Sequence, residues 1–254
     1  MALAQRDIPT LPQRTYEFMP IAPTYAQGKA ALDKVCREEN SMVHPVYLLP
    51  DGSRIYRPLT FRENLQAQVE DFHTLKDRNG KRRSLDSRTQ LFTQWRDSCT
   101  SVAYKGGTTK FTIISLDEQL LSLPEDFSKS SLRAAYPVSP PVRLDSTKGK
   151  YNHTLTMPEV IDHEGWLAAV EGDQYLLRVY SGIIFSLLRQ KYGREKGMGF
   201  NVHQNPREDM RRALFVQGLY DNSSAGGNYF LNDYGCSFLR VAPVAKRTES
   251  FCAE

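Results

Sequence analysis

Four cysteines in 254 residues, Cys36, Cys99, Cys236 and Cys252, stand apart with no Cys-x-x-Cys pair. Their scatter argues against a zinc site and a disulfide framework and favours a reducing compartment. No apolar run approaches eighteen residues, and Met1-Ala-Leu-Ala-Gln-Arg-Asp7 lacks a signal-peptide pattern. The expectation is a soluble chain without a membrane span that does not use the common secretory route. Catalytic signatures are missing as well: no Gly-x-Ser-x-Gly, no His-Glu-x-x-His, no Gly-x-Gly-x-x-Gly after a strand and no EF-hand loop. No catalysis, no metal and no cofactor are therefore expected.

The nearest approaches to such sites fall short. Gly106-Gly-Thr-Thr-Lys110 lacks the Gly-Lys-Ser/Thr order that leads into a helix, and Phe111-Thr-Ile-Ile114 after it reads as a strand, so a hairpin turn is expected. Glu159 and His163 sit four apart with Asp162 and Glu164 alongside, but a metal needs three or four converging ligands. Acids there suit a helix start. The five histidines show no pairing and are expected to be structural. Cys99 or Cys236 could act as a nucleophile only with a partner base.

What is present is a chain that is 40% apolar, enough for a sizeable core, and its charge is local. Lys76 to Arg88 holds six basic and two acidic residues, the whole formal excess of +4. Because the run straddles Asn79-Gly80, it reads as a solvated, mobile connection. Together with Arg189 to Lys196 it supports the weaker alternative of a nucleic-acid partner.

Residues 1 to 23 carry four prolines and suggest an extended arm. Thr24-x-x-Gln27, Thr60-x-x-Glu63 and Thr156-x-x-Glu159 are capping-box patterns, each followed by apolar residues at helical spacing. Val46-Tyr-Leu-Leu and Arg54-Ile-Tyr-Arg flank Pro50-Asp-Gly-Ser and predict a hairpin. Leu91, Trp95, Cys99 and Val102 recur at helical spacing and predict a helix from about 87 to 101. Residues 122 to 153, with four prolines, read as a surface excursion or internal boundary. After Gly172-Asp173, a long core helix is predicted with Leu176, Leu177, Tyr180, Ile183, Ile184, Leu187 and Leu188 on one side. Gln174, Arg178, Ser181 and Arg189 take the other, and the helix ends at Gly193. Phe200-Asn-Val-His predicts a strand, Asn205-Pro-Arg-Glu208 a helix start, and Phe238 to Ala242 a closing strand. Hairpins mixed with helices, without βαβ alternation, indicate α+β.

The stretch that organises the rest is Ala213 to Pro243. Thirteen of the sixteen residues from Tyr220 to Gly235 are Tyr, Asn, Ser, Gly or Asp, with no Lys, Arg or Glu. Tyrosine offers rigid amphipathic contact area and the small polar residues adaptable hydrogen bonding, the chemistry of binding loops. The same residues also serve long turns for backbone reasons.

This segment, with Leu231-Asn-Asp-Tyr-Gly235 and then Phe238-Leu-Arg-Val-Ala242, resembles the end of the C-type lectin fold of formylglycine-generating-enzyme-like proteins. It is similar, more specifically, to the variable proteins of diversity-generating retroelements, in which template adenines are randomised, typically in Asn-type codons. Randomised AAC codons cannot encode Lys, Glu, Gln, Met or Trp. None of these occurs from Gly218 to Ala245, although they make up 46 of the 254 residues.

The resemblance implies a single C-type-lectin-like α+β domain over 1–254 with a variable ligand-binding segment over 213–244. Phe238, Leu239 and Val241 would be framework. Tyr220, Asp221, Asn222, Ser223, Ser224, Asn228, Tyr229, Phe230, Asn232, Asp233, Tyr234 and Cys236 would form the displayed face. It further implies a protein or other macromolecular ligand, display by a virus or cell, and, as the enzymatic alternative on this fold, an oxidase or hydrolase.

Overall fold

The computed structural model describes residues 15–41, 44–48, 54–76, 81–117, 120, 139–217, 219, 223–227 and 237–242. Two short ladders and one large sheet organise them. Strand β1 (Thr15–Phe18) belongs to the proline-rich arm; the Thr24 side chain then accepts from the Gln27 amide to open α1 (Tyr25–Glu38). Strands β2 (Val46–Leu48) and β3 (Arg54–Tyr56) form the expected antiparallel hairpin. At α2 (Phe61–His73) the capping box is complete, Thr60 bonding the Glu63 amide and Glu63 the Thr60 amide. Its Phe61 and Leu65 are buried, with Val69 and Phe72 against the core.

The expected helix over 87–101 is a correction. A short α3 (Leu85–Thr89) and a 3-10 turn at Gln90–Phe92 end before Trp95, and β4 (Arg96–Tyr104) follows. Seven of its nine residues are buried, because this central strand is covered on both faces. A strand without polar alternation has no period-2 signature, so Leu91, Cys99 and Val102 imitate helical spacing.

Strand β5 (Lys110–Ile114) pairs with β4 through the turn at Gly106-Gly107, the hairpin expected in place of a phosphate loop. Within the proline-rich excursion, β6 (Val142–Asp145) adds to β5; 121–138 lie outside the described residues. Next come β7 (Leu155–Thr156), α4 (Met157–Ile161), α5 (Glu164–Ala169) and α6 (Gln174–Tyr192). Gly172 at φ +79 stops α5, Asp173 caps α6, and Gly193 at φ +64 ends it, as glycine and aspartate in those places predict. The apolar side of α6 is buried as expected. Ser181 is buried too, contrary to its expected exposed position, and its hydroxyl is satisfied by the Arg178 carbonyl.

Strand β8 (Lys196–Asn201) precedes β9 (Met210–Val216). No helix starts at Asn205-Pro206: Asn205 takes a positive φ of 53, and the chain bends directly into β9. Strands β10 (Ser223–Gly226) and β11 (Leu239–Ala242) complete the order.

The large sheet runs β6-β5-β4-β9-β10-β8-β7. It is antiparallel except for β10 beside β8. Helix α6 lies in the main core with Trp166, Phe200 and Leu214. Strand β11 returns to pair with β1, from Thr15 opposite Ala242 to Phe18 opposite Leu239, so the arm is a strand partner where it is described. Phe238, Leu239 and Val241, the expected framework positions, are all buried. Among the described residues, no helix is long and apolar enough to cross a membrane.

Candidate ligand-binding surface

Between β4 and β9 the register slips. Asp97 faces Phe215 while Ser101 faces Ala213, so four steps along β4 match two along β9. Hydroxyls satisfy the bulged backbone: Ser98 donates to the Leu214 carbonyl and Thr100 to the Ser115 carbonyl. The Asp97 amide, released from the ladder, donates to the Ser237 carbonyl at 2.8 Å, and the Asp97 carboxylate accepts from the Ser237 amide at 3.1 Å. A β-bulge has thus become a clamp on the residue where the second half of the Tyr/Asn/Ser-rich stretch ends.

The other ends are held in comparable ways. Gln217 donates to the Ser224 carbonyl at 2.8 Å, and Leu219 to the Phe92 carbonyl at 2.5 Å. Gly227 donates to the Asn201 carbonyl at 3.0 Å and accepts from the Tyr104 hydroxyl at 2.9 Å. A Cβ on Gly226 would run into the Phe215 ring, and one on Gly227 would lie 2.5 Å from Val102 Cγ2. Small residues are required here because strand and sheet approach so closely.

Two of the expected face residues are therefore corrected. Ser223 and Ser224 form the start of β10, between β9 and β8, and are 1% and 6% exposed. Ser223 Oγ lies 3.4 Å from the Tyr180 hydroxyl and 3.4 Å from the Gln217 carbonyl. Both serines are frame, and their hydroxyls bond inward. Tyr220, Asp221, Asn222, Asn228, Tyr229, Phe230, Asn232, Asp233, Tyr234 and Cys236 lie outside the described residues. The clamps Phe92, Asp97 and Tyr104 were not anticipated. They stand more than a hundred positions earlier in the chain, and only the fold brings them here.

Opposite Val216 of β9 lies a buried cation. Arg96 is 1% exposed, and no carboxylate among the described residues forms an ion pair with it. Burial pushes its guanidinium down to about 10, opposed by the charge interaction with Tyr180, so it is still a cation at neutral pH. The Gln68 amide, turned so that both groups are satisfied, presents its oxygen to Arg96 Nη1 at 2.9 Å and its nitrogen to the Tyr180 hydroxyl at 3.3 Å. A polar chain therefore runs from Arg96 through Gln68 and Tyr180 to Ser223 at the root of β10.

The basic segment is less free than expected of a solvated connection. Arg83 forms a bidentate pair with Asp71 at the end of α2, and Arg88 donates to the Phe72 carbonyl while lying 4.6 Å over the Phe72 ring. His163 likewise has a structural task. Its Nδ1 accepts from the Gly165 and Trp166 amides and caps α5, while Glu159 sits on a separate helix, α4, and pairs with Lys150. The Glu159–His163 pair does not share a helix face. Burial raises the Cys36 and Cys99 thiols to about 12, which leaves both as unreactive thiols at neutral pH. No group of three metal-ligating side chains occurs among the described residues.

No family model and no curated protein matches the chain. A solved structure described as "Accommodation of massive sequence variation in Nanoarchaeota by the C-type lectin fold" does, with a TM-score of 0.52 and 14% identity over 91% of this chain and 98% of that one. The chain has the C-type lectin fold, of α+β class.

Proposed function

We propose that this chain is a non-catalytic display protein whose segments 218–222 and 228–236 recognise a macromolecular partner, within a single domain, and are diversified by a retroelement. The observation that carries the reading is the missing residue set. Lys, Glu, Gln, Met and Trp are 46 of 254 residues, so 28 positions from Gly218 to Ala245 should hold about five; they hold none. An AAC codon randomised at its adenines leaves that gap. The frame supports the same reading, because clamps from Phe92, Asp97 and Tyr104 hold the segment ends through groups outside the segments. A frame anchored in that way tolerates substitution where side chains face solvent. The solved structure that shares this fold is itself described in terms of massive sequence variation.

The ligand-facing set is Tyr220, Asp221, Asn222, Asn228, Tyr229, Phe230, Asn232, Asp233, Tyr234 and Cys236, with Ser223 and Ser224 removed. Aromatic members supply most of the binding strength in such surfaces. Two experiments test the reading. Flanking DNA should carry a reverse-transcriptase gene and a near-copy of codons 213–243 that differs at adenines; its absence removes the retroelement. Randomising codons 220–222 and 228–234 should leave most clones with a cooperative unfolding transition; general collapse removes the display surface.

A further inference from the structure

Two large apolar side chains stand in water within the basic segment that follows α2. Leu75 is 59% exposed and Leu85 41%. An antiparallel bridge sets Lys76 opposite Arg82, and on the next rung the Arg83 amide donates to the Leu75 carbonyl at 2.8 Å. Leu85, two residues beyond Arg83, opens α3. Partners across a rung lie about 5.5 Å apart and two residues reach about 7 Å at most, so the two leucine Cα atoms are within about 13 Å of each other. The bidentate pair of Arg83 with Asp71 fastens this ladder to the end of α2.

The charge beside the leucines is positive. Lys76, Lys81 and Arg82 are exposed. Over 76–88 the sequence sets six basic residues against two carboxylates, Asp77 and Asp86. Cations and leucines together select the partner. Nucleic-acid phosphates would pair with the cations but leave the leucines in water, and the Phe72 ring, where a base would stack, is covered by the Arg88 guanidinium. An anionic bilayer uses both kinds of side chain. Its headgroup phosphates attract the cations, its acyl boundary takes the leucines, and the long Lys and Arg stems keep the charged heads in the headgroup layer.

We propose that the ladder formed by Leu75–Lys76 and Lys81–Leu85 docks this protein on an anionic lipid surface, with Leu75 and Leu85 inserted between headgroups and Lys76, Lys81 and Arg82 on their phosphates. The proposal does not depend on the display reading, since it uses no residue of 218–236.

The test is sedimentation of the full chain with vesicles of phosphatidylcholine, alone or with one third phosphatidylglycerol. Binding to the anionic vesicles should be at least about tenfold tighter and should fall with added salt. Equal binding to both, or tighter binding to a single-stranded oligonucleotide than to the anionic vesicles, overturns the proposal. Lys76→Glu with Arg82→Glu should weaken anionic-vesicle binding at least about tenfold. Arg178→Glu with Arg189→Glu makes the same change of charge at two exposed positions of α6 and should weaken it no more than about twofold. An equal loss in both pairs means that net charge alone drives binding, and overturns the proposal. Leu75→Ser with Leu85→Ser keeps the charge and should weaken vesicle binding at least about fivefold while leaving retention on heparin unchanged. Undiminished vesicle binding in that variant overturns the proposal. Should the serine pair lower the unfolding midpoint, Leu75→Ala with Leu85→Ala takes its place. Collapse of the randomised clones would instead defeat the display reading, so the two failures are distinct.

Discussion

The Asp97 carboxylate and the Ser237 backbone form a two-point clamp, amide to carbonyl at 2.8 Å and amide to carboxylate at 3.1 Å, across 140 residues of sequence. Bonds to a charged acceptor contribute about 1.5–3 kcal/mol, and this one fixes the return of the second segment. Asp97→Ala should lower the unfolding free energy by about 2 kcal/mol. Asp97→Asn, which keeps an acceptor, should lose about half of that. Urea unfolding and amide exchange at Ser237 measure both; an Ala variant with unchanged exchange at Ser237 shows that the clamp does not hold the segment.

Gly227 sets a second limit. Its missing Cβ leaves room for Val102 and for the Tyr104 hydroxyl that bonds its carbonyl. Gly227→Ala should cost about 1–3 kcal/mol through overpacking. Paired Tyr229→Ala and Tyr234→Ala should stay within about 1 kcal/mol, as surface changes do. Thermal melts of the two variants decide the matter. If the tyrosine pair is the more destabilising change, those rings are core and not display.

These contrasts explain what could be read from the chain beforehand. Helix ends were legible because they are local: Thr60 with Glu63, Asp173 and Gly193 act within a turn of their own helix. Strand β4 was not, because burial on both faces erased alternation. Strand β10 was not legible either. Ser223-Ser224-Ala225-Gly226 has the composition of a loop, and the reason Gly226 must lack a side chain is the Phe215 ring of the neighbouring strand β9. The polar composition of 218–236 pointed to the region, but its frame depends on residues 92–104, which no local pattern connects to it.

Arg96 allows a test of what the buried polar chain contributes. A buried charge without an opposite partner is costly, and replacing it with an apolar side chain of similar length is commonly neutral or stabilising. Arg96→Met should change stability by no more than about 1 kcal/mol or raise it, whereas Arg96→Ala should lose about 2–5 kcal/mol as a cavity opens. If Met is as harmful as Ala, the Arg96–Gln68–Tyr180 chain is holding the root of β10 through its hydrogen bonds. In that case exchange at Ser223 and Ser224 should quicken in both variants.

His163 gives the fold an acid-sensitive joint. Its Nδ1 caps α5 by accepting from the Gly165 and Trp166 amides at 3.1 and 3.4 Å, so the ring must be unprotonated there. Its ring is stacked on Phe200 and edge-on to Tyr151. Burial lowers its pKa from 6.5 to about 4, and burial does the same to His44. Because the folded value lies below the unfolded one, the unfolded chain takes up the proton first. Stability from each histidine is complete above pH 6.5 and is lost as pH falls from there towards 4, by about 3 kcal/mol per residue at most. His163→Asn supplies a cap acceptor that does not titrate. It should lower stability at pH 7 through lost packing and make the decline between pH 6.5 and 5 about half as steep, the remainder there belonging to His44, while nearer pH 4 carboxylates held low in the fold, such as Glu63, add to the loss. Urea midpoints across that range check this. An unchanged acid slope in His163→Asn would mean that His163 titrates alike in the folded and unfolded chains, and that its capping bonds do not exclude the proton.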